Sequence, residues 1–339
     1  MYSGDSDRCG SPNQKQRQMI RKACLDFKDL PNSDKTSNDL FRCYAPTSAK
    51  SLPPIEAIIW DVYGTLLASR PTGLLAEDPS LLIKALSHLK QAFPELASLD
   101  STKTITLLQQ EIKTCLNLDH KQPPPAITDR RESTQIYLEI DIVMIWKEVF
   151  KKFDLFEFHS EKELPGFALA FELATHPFAL MPGILPLLST LLAKNLHQGI
   201  MSNAQFYTHW ILETLLGKNL FASTFNPELL VYSFEHSIAK PSHLLFTNLV
   251  ERLEKQGISP DKTLYLGNNL EKDILPAKRV GLRTGWVLVD PFEIESILKQ
   301  KTLSTIEPNE PFGKPQNKAS PADIIITSFY DFAIKLKTF

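Results

Sequence analysis

The sequence is poor in the features that would commit a chain to a special environment. Only four cysteines, Cys9, Cys24, Cys43 and Cys115, occur in 339 residues. None forms a CxxC pair or stands at metal-ligating spacing from a histidine, so neither a disulfide scaffold nor a thiolate zinc site is expected. Free thiols in a reducing compartment are the plain reading. No apolar run approaches the ~18 residues that span a bilayer, and the start of the chain has no apolar signal region. The expected address is the cytoplasm. Charge of one sign is lacking too: 37 Lys and Arg stand against 39 Asp and Glu, a formal net charge of -2. Neither nucleic acid nor an anionic membrane is favoured as a partner, which leaves small molecules, and oligomeric state stays open. No internal repeat is visible. A hydrophobic share of 43% with 22% charged residues suffices for one large or two ordinary domains with proper cores.

The chain divides into four stretches. Residues 1–53 are polar and carry a short basic segment from Lys15 to Lys22; they read as an amino-terminal extension outside the core. Ile55 to Trp60, apolar and rich in β-branched residues, reads as a buried strand with Asp61 at its carboxyl end. Residues 70–181 show helical runs, such as Ile136 to Phe153, and no clear strand, so an all-helical insertion is expected there. From Pro182 on, helices and strands alternate: strands at Gln198 to Ser202, Leu229 to Tyr232, Thr263 to Leu266, Gly285 to Val289 and Ala322 to Ile326 are separated by helices, with a polar loop from Lys299 to Pro321. Such alternation implies right-handed crossovers. The expected fold is an α/β, Rossmann-like open, mainly parallel sheet flanked by helices, built from residues 54–69 and 182–339, with residues 70–181 as the inserted helical domain.

Ligands of an open parallel sheet bind beyond the carboxyl ends of its strands, where crossovers diverge. The polar residues at those ends are Asp61, then Ser202 and Asn203, then Gly267, Asn268 and Asn269, while Lys240 opens a later helix and Asp273 follows the fourth strand. An acid, a hydroxyl, a lysine and a second acid thus converge on one crevice from distant parts of the chain. The set suits phosphoryl chemistry, in which a carboxylate attacks phosphorus, a hydroxyl and amides hold its oxygens, a lysine neutralises charge and a second acid helps hold a metal ion.

The segment IIWDVYGTLL resembles the first motif of haloacid dehalogenase-like hydrolases; QGIMSNAQ, SIAKPSHLLF and LYLGNNLEKDILPAKRVGLRT resemble the second, third and fourth, in the family's order. With the insertion, the resemblance covers residues 55 to about 336. It implies that Asp61 attacks the substrate to form a covalent aspartyl intermediate, and that Lys240 steadies both Asp61 and developing charge. It further implies that Ser202 and the amide of Asn203 bind the transferring group and that Thr65 fixes the first-motif turn. Magnesium, held by Asp61, the carbonyl of Tyr63, Asn268 and Asp273, is the implied cofactor, since that ion keeps several waters and needs few carboxylates. The insertion would be a cap that selects the substrate.

Two positions depart from the phosphatase pattern. The acid-base aspartate of phosphatases is replaced by Tyr63, whose phenol, of ordinary pKa ~10, is a poor proton shuttle near neutrality. Tyrosine there resembles the 2-haloacid dehalogenase branch, in which halide leaves unprotonated. The first aspartate of the fourth motif is Asn268, a neutral and weaker magnesium ligand. Three readings follow: a magnesium-dependent phosphatase acting on a small phosphorylated metabolite, a carbon-halogen hydrolase, and a catalytically weak binding protein. Arg70, Arg130 and Arg131 are candidates for a halide-binding arginine, and Tyr137 and Trp146 for ligand contacts.

Overall fold

The computed structural model describes residues 12–25, 54–69, 73–116, 136–155, 163–176, 178–288 and 322–338. Among them the strands run β1 (Ala57–Trp60), β2 (Leu67–Ser69), β3 (Tyr137–Leu138), β4 (Phe178–Leu180), β5 (His197–Ser202), β6 (Leu230–Tyr232), β7 (Ile238–Ala239), β8 (Thr263–Gly267), β9 (Arg283–Val287) and β10 (Ile324–Ile326). The α-helices are α1 (Gln14–Leu25), α2 (Ser80–Leu89), α3 (Ser101–Cys115), α4 (Ile142–Lys151), α5 (Glu163–Thr175), α6 (Ile184–Ala193), α7 (Tyr207–Leu216), α8 (Lys218–Thr224), α9 (Ser233–His236), α10 (His243–Lys255), α11 (Leu275–Arg279) and α12 (Phe329–Thr338).

Six strands form one sheet in the order β10-β9-β8-β1-β5-β6, every neighbouring pair parallel. The expected architecture of a parallel sheet flanked by helices is therefore the observed one. β1 is buried at all four positions, as a strand covered on both faces must be. Its side chains alternate: Ile58 and Trp60 enter one apolar cluster with α6, whereas Ala57 and Ile59 enter the other with α10. The central β1 lies between β5 and β8, with Trp60 level with Ile200 and Leu266. From β5 the chain continues outward to β6, and from β8 outward to β9 and β10, so the crossovers part company at the carboxyl end of β1. That is where an open parallel sheet places its ligand crevice.

β2 and β4 pair antiparallel, Leu67 opposite Leu180 and Ser69 opposite Phe178, so the chain leaves the core and returns to it side by side. Between them lie α2 to α5, packed around Trp146, Phe150, Phe167 and Phe171; the Trp146 ring is 4.9 Å from each of Phe167 and Phe171. Trp146 is fully buried in that cluster, so it fills a core, whereas Tyr137 is 38% exposed. His176 shares its Nδ1 between Thr175 and Glu172. No helix among the described residues is long and apolar enough to cross a membrane.

Three expectations change. The helix drawn from Ile136 to Phe153 spans only Ile142–Lys151, because the Asp141 carboxylate caps it by accepting from the Val143 and Met144 amides. The residues before it are extended instead, and β3 pairs antiparallel with β7, Tyr137 opposite Ala239. The insertion thus contains strand as well as helix. The extension is not wholly outside the core: α1 buries Ile20 completely, and its Arg17 meets the buried Glu213 of α7 at 2.8 Å. Leu270–Ile274 forms a π-helical turn, capped by the Asn269 side chain, and α11 starts after it with Pro276 in its first turn, where the missing N–H is harmless.

Candidate functional site

Asp61 follows β1, its amide bonded to the Leu266 carbonyl at 2.8 Å. The turn after it closes through backbone bonds: Gly64 N–H to Leu67 O at 2.7 Å and Leu66 N–H to Val62 O at 2.8 Å. Gly64 has φ +79°, and a β-carbon there would lie 2.1 Å from Asn268 Nδ2, so both backbone angle and space demand glycine. Asn268, at the end of β8, is thereby placed against the turn that carries Asp61 and Tyr63. Thr65 is fully buried, and its hydroxyl has no hydrogen-bond partner among the described residues. The turn itself is closed by its backbone bonds.

The crevice brings Asp61, Ser202, Lys240 and Asp273 into contact. Asp61 Oδ1 accepts from Ser202 Oγ at 2.9 Å and from Lys240 Nζ at 2.7 Å. The same Nζ donates to Asp273 Oδ1 at 2.6 Å, while Asp273 Oδ2 accepts from the Asn269 amide at 2.9 Å. Gly267 lets Asp273 come this close: a β-carbon there would lie 2.5 to 2.7 Å from the Asp273 side chain. Asp61, Ser202, Lys240 and Asp273 are each at most 5% exposed.

Burial sets the electrostatics. Removal from water pushes the Asp61 carboxyl up from 3.8 to about 6, an effect that Lys240 opposes and Asp273 reinforces. For Lys240 burial works towards the neutral amine, but Asp273 and Asp61 together outweigh it and hold the ammonium above its ordinary pKa. The pair of acids thus keeps the lysine charged.

Asn203 braces this arrangement from the side. Its Nδ2 donates to the Lys240 carbonyl at 3.1 Å and its Oδ1 accepts from the Lys240 amide at 2.6 Å. The side chain therefore ties the second strand end to the Lys240 loop, a contact that the expected role of its backbone amide did not include. β3 adds a second brace: Ser242 Oγ accepts from the Tyr137 amide at 2.7 Å, and Ser233 Oγ donates to Glu139 at 2.7 Å while accepting from the Ala204 amide at 2.8 Å. The insertion is pinned to both loops that frame the crevice.

Tyr63 points its hydroxyl at Thr208 Oγ1, 2.7 Å away, with its ring 5.7 Å from Phe178. Burial first, and then the nearby Glu172, push the phenol far above its ordinary pKa. It stays neutral and anchored to α7. Arg70, Arg130 and Arg131 lie outside the described residues.

Asp61 and Asp273 supply two carboxylates at the site, and the Asn268 amide lies against the Gly64 turn. No group of three or more His, Cys, Asp and Glu among the described residues forms a ready metal cage. What the set offers is two carboxylates and neutral oxygens. Sequence reasoning missed Tyr265, whose hydroxyl lies 3.2 Å from Asp273 Oδ1 and 3.3 Å from Lys240 Nζ. Its only signal, a tyrosine two residues before the end of an apolar strand, is indistinguishable from an ordinary core position. It also missed Thr208, in α7, and Glu139, just after β3, which no motif marks.

A model of the haloacid dehalogenase-like hydrolases matches residues 55–281. No curated protein matches the chain. Solved structures similar to it include a HAD phosphatase from Thermococcus onnurineus, 18% identical, covering 83% of this chain and 98% of that one, with a TM-score of 0.43. A 2-haloacid dehalogenase from Pseudomonas syringae pv. Tomato DC3000 is 16% identical over 84% of this chain and 98% of its own, TM-score 0.47. The L-2-haloacid dehalogenase of Xanthobacter autotrophicus is 17% identical over 84% and 98%, TM-score 0.42.

Proposed function

The chain belongs to the haloacid dehalogenase-like hydrolase family, and from that premise we propose that it is a cytoplasmic phosphatase with Asp61 as nucleophile, acting on a small phosphorylated metabolite whose leaving group departs without protonation. One observation carries this reading: both side-chain hydrogen bonds to Asp61 fall on Oδ1, from Lys240 and Ser202. Oδ2 is the oxygen that attacks. Its attack on phosphorus breaks the P–O bond, and the leaving oxygen departs with the electron pair. Water then attacks the aspartyl phosphate, its proton passes to the phosphoryl oxygens, and the Asp61 carboxylate is released.

The donor set fits a hard divalent cation, because every candidate ligand is oxygen and two are carboxylates. Asp61, the Tyr63 carbonyl, Asn268 and Asp273 are the residues that would hold magnesium. When bound, such an ion supplies charge neutralisation for the transferring phosphoryl group. Lys240 keeps Asp61 ionised and oriented, and Ser202 fixes its rotamer. The insertion, residues 70–181, serves as the cap that excludes water and selects the substrate.

Tyr63 limits the leaving group. Its neutral phenol, committed to Thr208, neither protonates an alkoxide nor takes a proton from water. Acyl and aryl phosphates, which leave as weak bases, are the substrates that suit such a site. The same observation favours a second reading, carbon-halogen hydrolysis, where halide needs no proton. A panel of acyl, aryl and alkyl phosphates, assayed with and without magnesium beside 2-haloacids, separates the two. Magnesium-dependent phosphate release that vanishes in Asp61→Asn supports the phosphatase; halide release that ignores magnesium supports the other.

A further inference from the structure

Lys240 Nζ carries three protons, and three acceptors surround it: Asp61 Oδ1 at 2.7 Å, Asp273 Oδ1 at 2.6 Å and the Tyr265 hydroxyl at 3.3 Å. Lys240 and Tyr265 are 4% and 0% exposed. Water cannot replace the third acceptor. Tyr265 is itself held from every side: β8 sets its backbone between Ile59 of β1 and Thr284 of β9, and its ring packs 5.6 Å from Phe246 of α10. Its hydroxyl oxygen lies 3.2 Å from both Asp273 Oδ1 and the Met201 carbonyl, and donates its proton to one of them, so an oxygen lone pair is left to face the ammonium. Burial, followed by Asp273 and Asp61, keeps this phenol protonated.

We propose that Tyr265 is a positioning residue whose hydroxyl completes a three-point seat for the Lys240 ammonium, so that none of the lysine's protons is offered to substrate in the resting site. The lysine then acts on the reaction through Asp61. A lysine with two partners would swing its third N–H towards whatever anion entered, and would loosen its hold on Oδ1; a lysine with three is a fixed charge. The plain alternative is that Tyr265 fills space beside Phe246 and its hydroxyl is incidental. This assignment rests on the reading of Asp61 as nucleophile for its consequence, but not for its geometry.

Lysine ammonium protons observed in ¹⁵N-lysine-labelled protein near neutral pH test the seat without any substrate. The wild-type protein is expected to show one ammonium protected from solvent exchange, identified by its absence from Lys240→Met. In Tyr265→Phe, which keeps the ring, that ammonium is expected to exchange at least about tenfold faster, because one N–H has lost its acceptor. Exchange unchanged within twofold in folded Tyr265→Phe overturns the proposal, as does a wild-type Lys240 that exchanges as freely as a surface lysine. A nuclear Overhauser contact between the Tyr265 hydroxyl proton and the Lys240 ammonium, read on wild-type protein, decides the matter if the variant does not fold: its presence supports the seat and its absence overturns it. Turnover of p-nitrophenyl phosphate with magnesium tests the reading beneath. Tyr265→Phe is expected to lose about tenfold in kcat with KM within twofold, whereas wild-type turnover in Asp61→Asn sinks the nucleophile assignment whatever the ammonium does.

Discussion

Asp61→Asn should make the protein more stable while removing its proposed chemistry, and the gain should depend on pH. A carboxyl held at about 6 instead of 3.8 costs the ionised fold about 3 kcal/mol, at ~1.4 kcal/mol per pKa step. The sign follows from the direction. Well below pH 3.8 Asp61 is protonated in both folded and unfolded chains, and asparagine, its neutral counterpart, should change little. Between 3.8 and about 6 the unfolded chain sheds a proton that the fold retains, so wild-type stability is lost as pH rises. Above about 6 the whole penalty applies. Urea unfolding of both proteins should therefore show Asp61→Asn ahead by about 3 kcal/mol at pH 8 and by about half of that at pH 5, on the same linkage. Asparagine keeps an Oδ1 for Ser202 and Lys240, so the hydrogen bonds survive. A variant that is less stable than wild type at pH 8, or a difference that does not change between pH 5 and 8, would refute the reasoning.

Lys240→Met should have the opposite effect: it leaves two buried carboxylates without their cation and is expected to cost about 3 to 5 kcal/mol at pH 8, read as an earlier urea midpoint, with partial recovery at acid pH as a carboxyl takes up a proton. Tyr63→Asp should raise turnover of alkyl phosphates by at least about tenfold while leaving p-nitrophenyl phosphate within a few-fold, because only the former need a proton donor; equal gains on both would show that protonation at position 63 is not limiting. Asn268→Asp fits the same volume beside Gly64 and should tighten magnesium binding about tenfold or more by calorimetry, since it adds a carboxylate to the donor set; unchanged affinity would remove residue 268 from that set.

The parts of the fold legible in the sequence were those in which one short segment decides the outcome. Residues 57 to 60 can only be a doubly covered strand, and an acid at its end, with glycine three positions on, announces the crevice. Asp61, Ser202, Lys240 and Asp273 were found because each ends or follows an element that periodicity marks. What escaped depends on contacts between distant segments. β3 is two residues long and exists because Ser242 and β7 offer its backbone partners. α1 is mostly polar, and its fully buried Ile20 gains meaning only against α5 and α7. Tyr265 reads as one more apolar residue in LYLG until the fold brings Lys240, from an earlier loop, under its hydroxyl.

The charge count of the crevice ties these observations to function. Asp61, Asp273 and Lys240 bring two carboxyl groups and one ammonium together in a site nearly removed from solvent, and Ser202 and Lys240 direct protons onto those carboxyls. On the proposed reading a phosphorylated substrate brings further negative charge, which a divalent cation beside Asp61 and Asp273 would compensate. An aspartate at position 268 would have deepened the deficit and made the cation indispensable. Asparagine there lowers the resting charge and weakens the demand for metal at once, and it does so beside a Tyr63 that has already given up proton transfer. On the proposed reading the two departures point the same way, towards a site that relies on Lys240 for the state of Asp61 and on the substrate for a leaving group that needs no help.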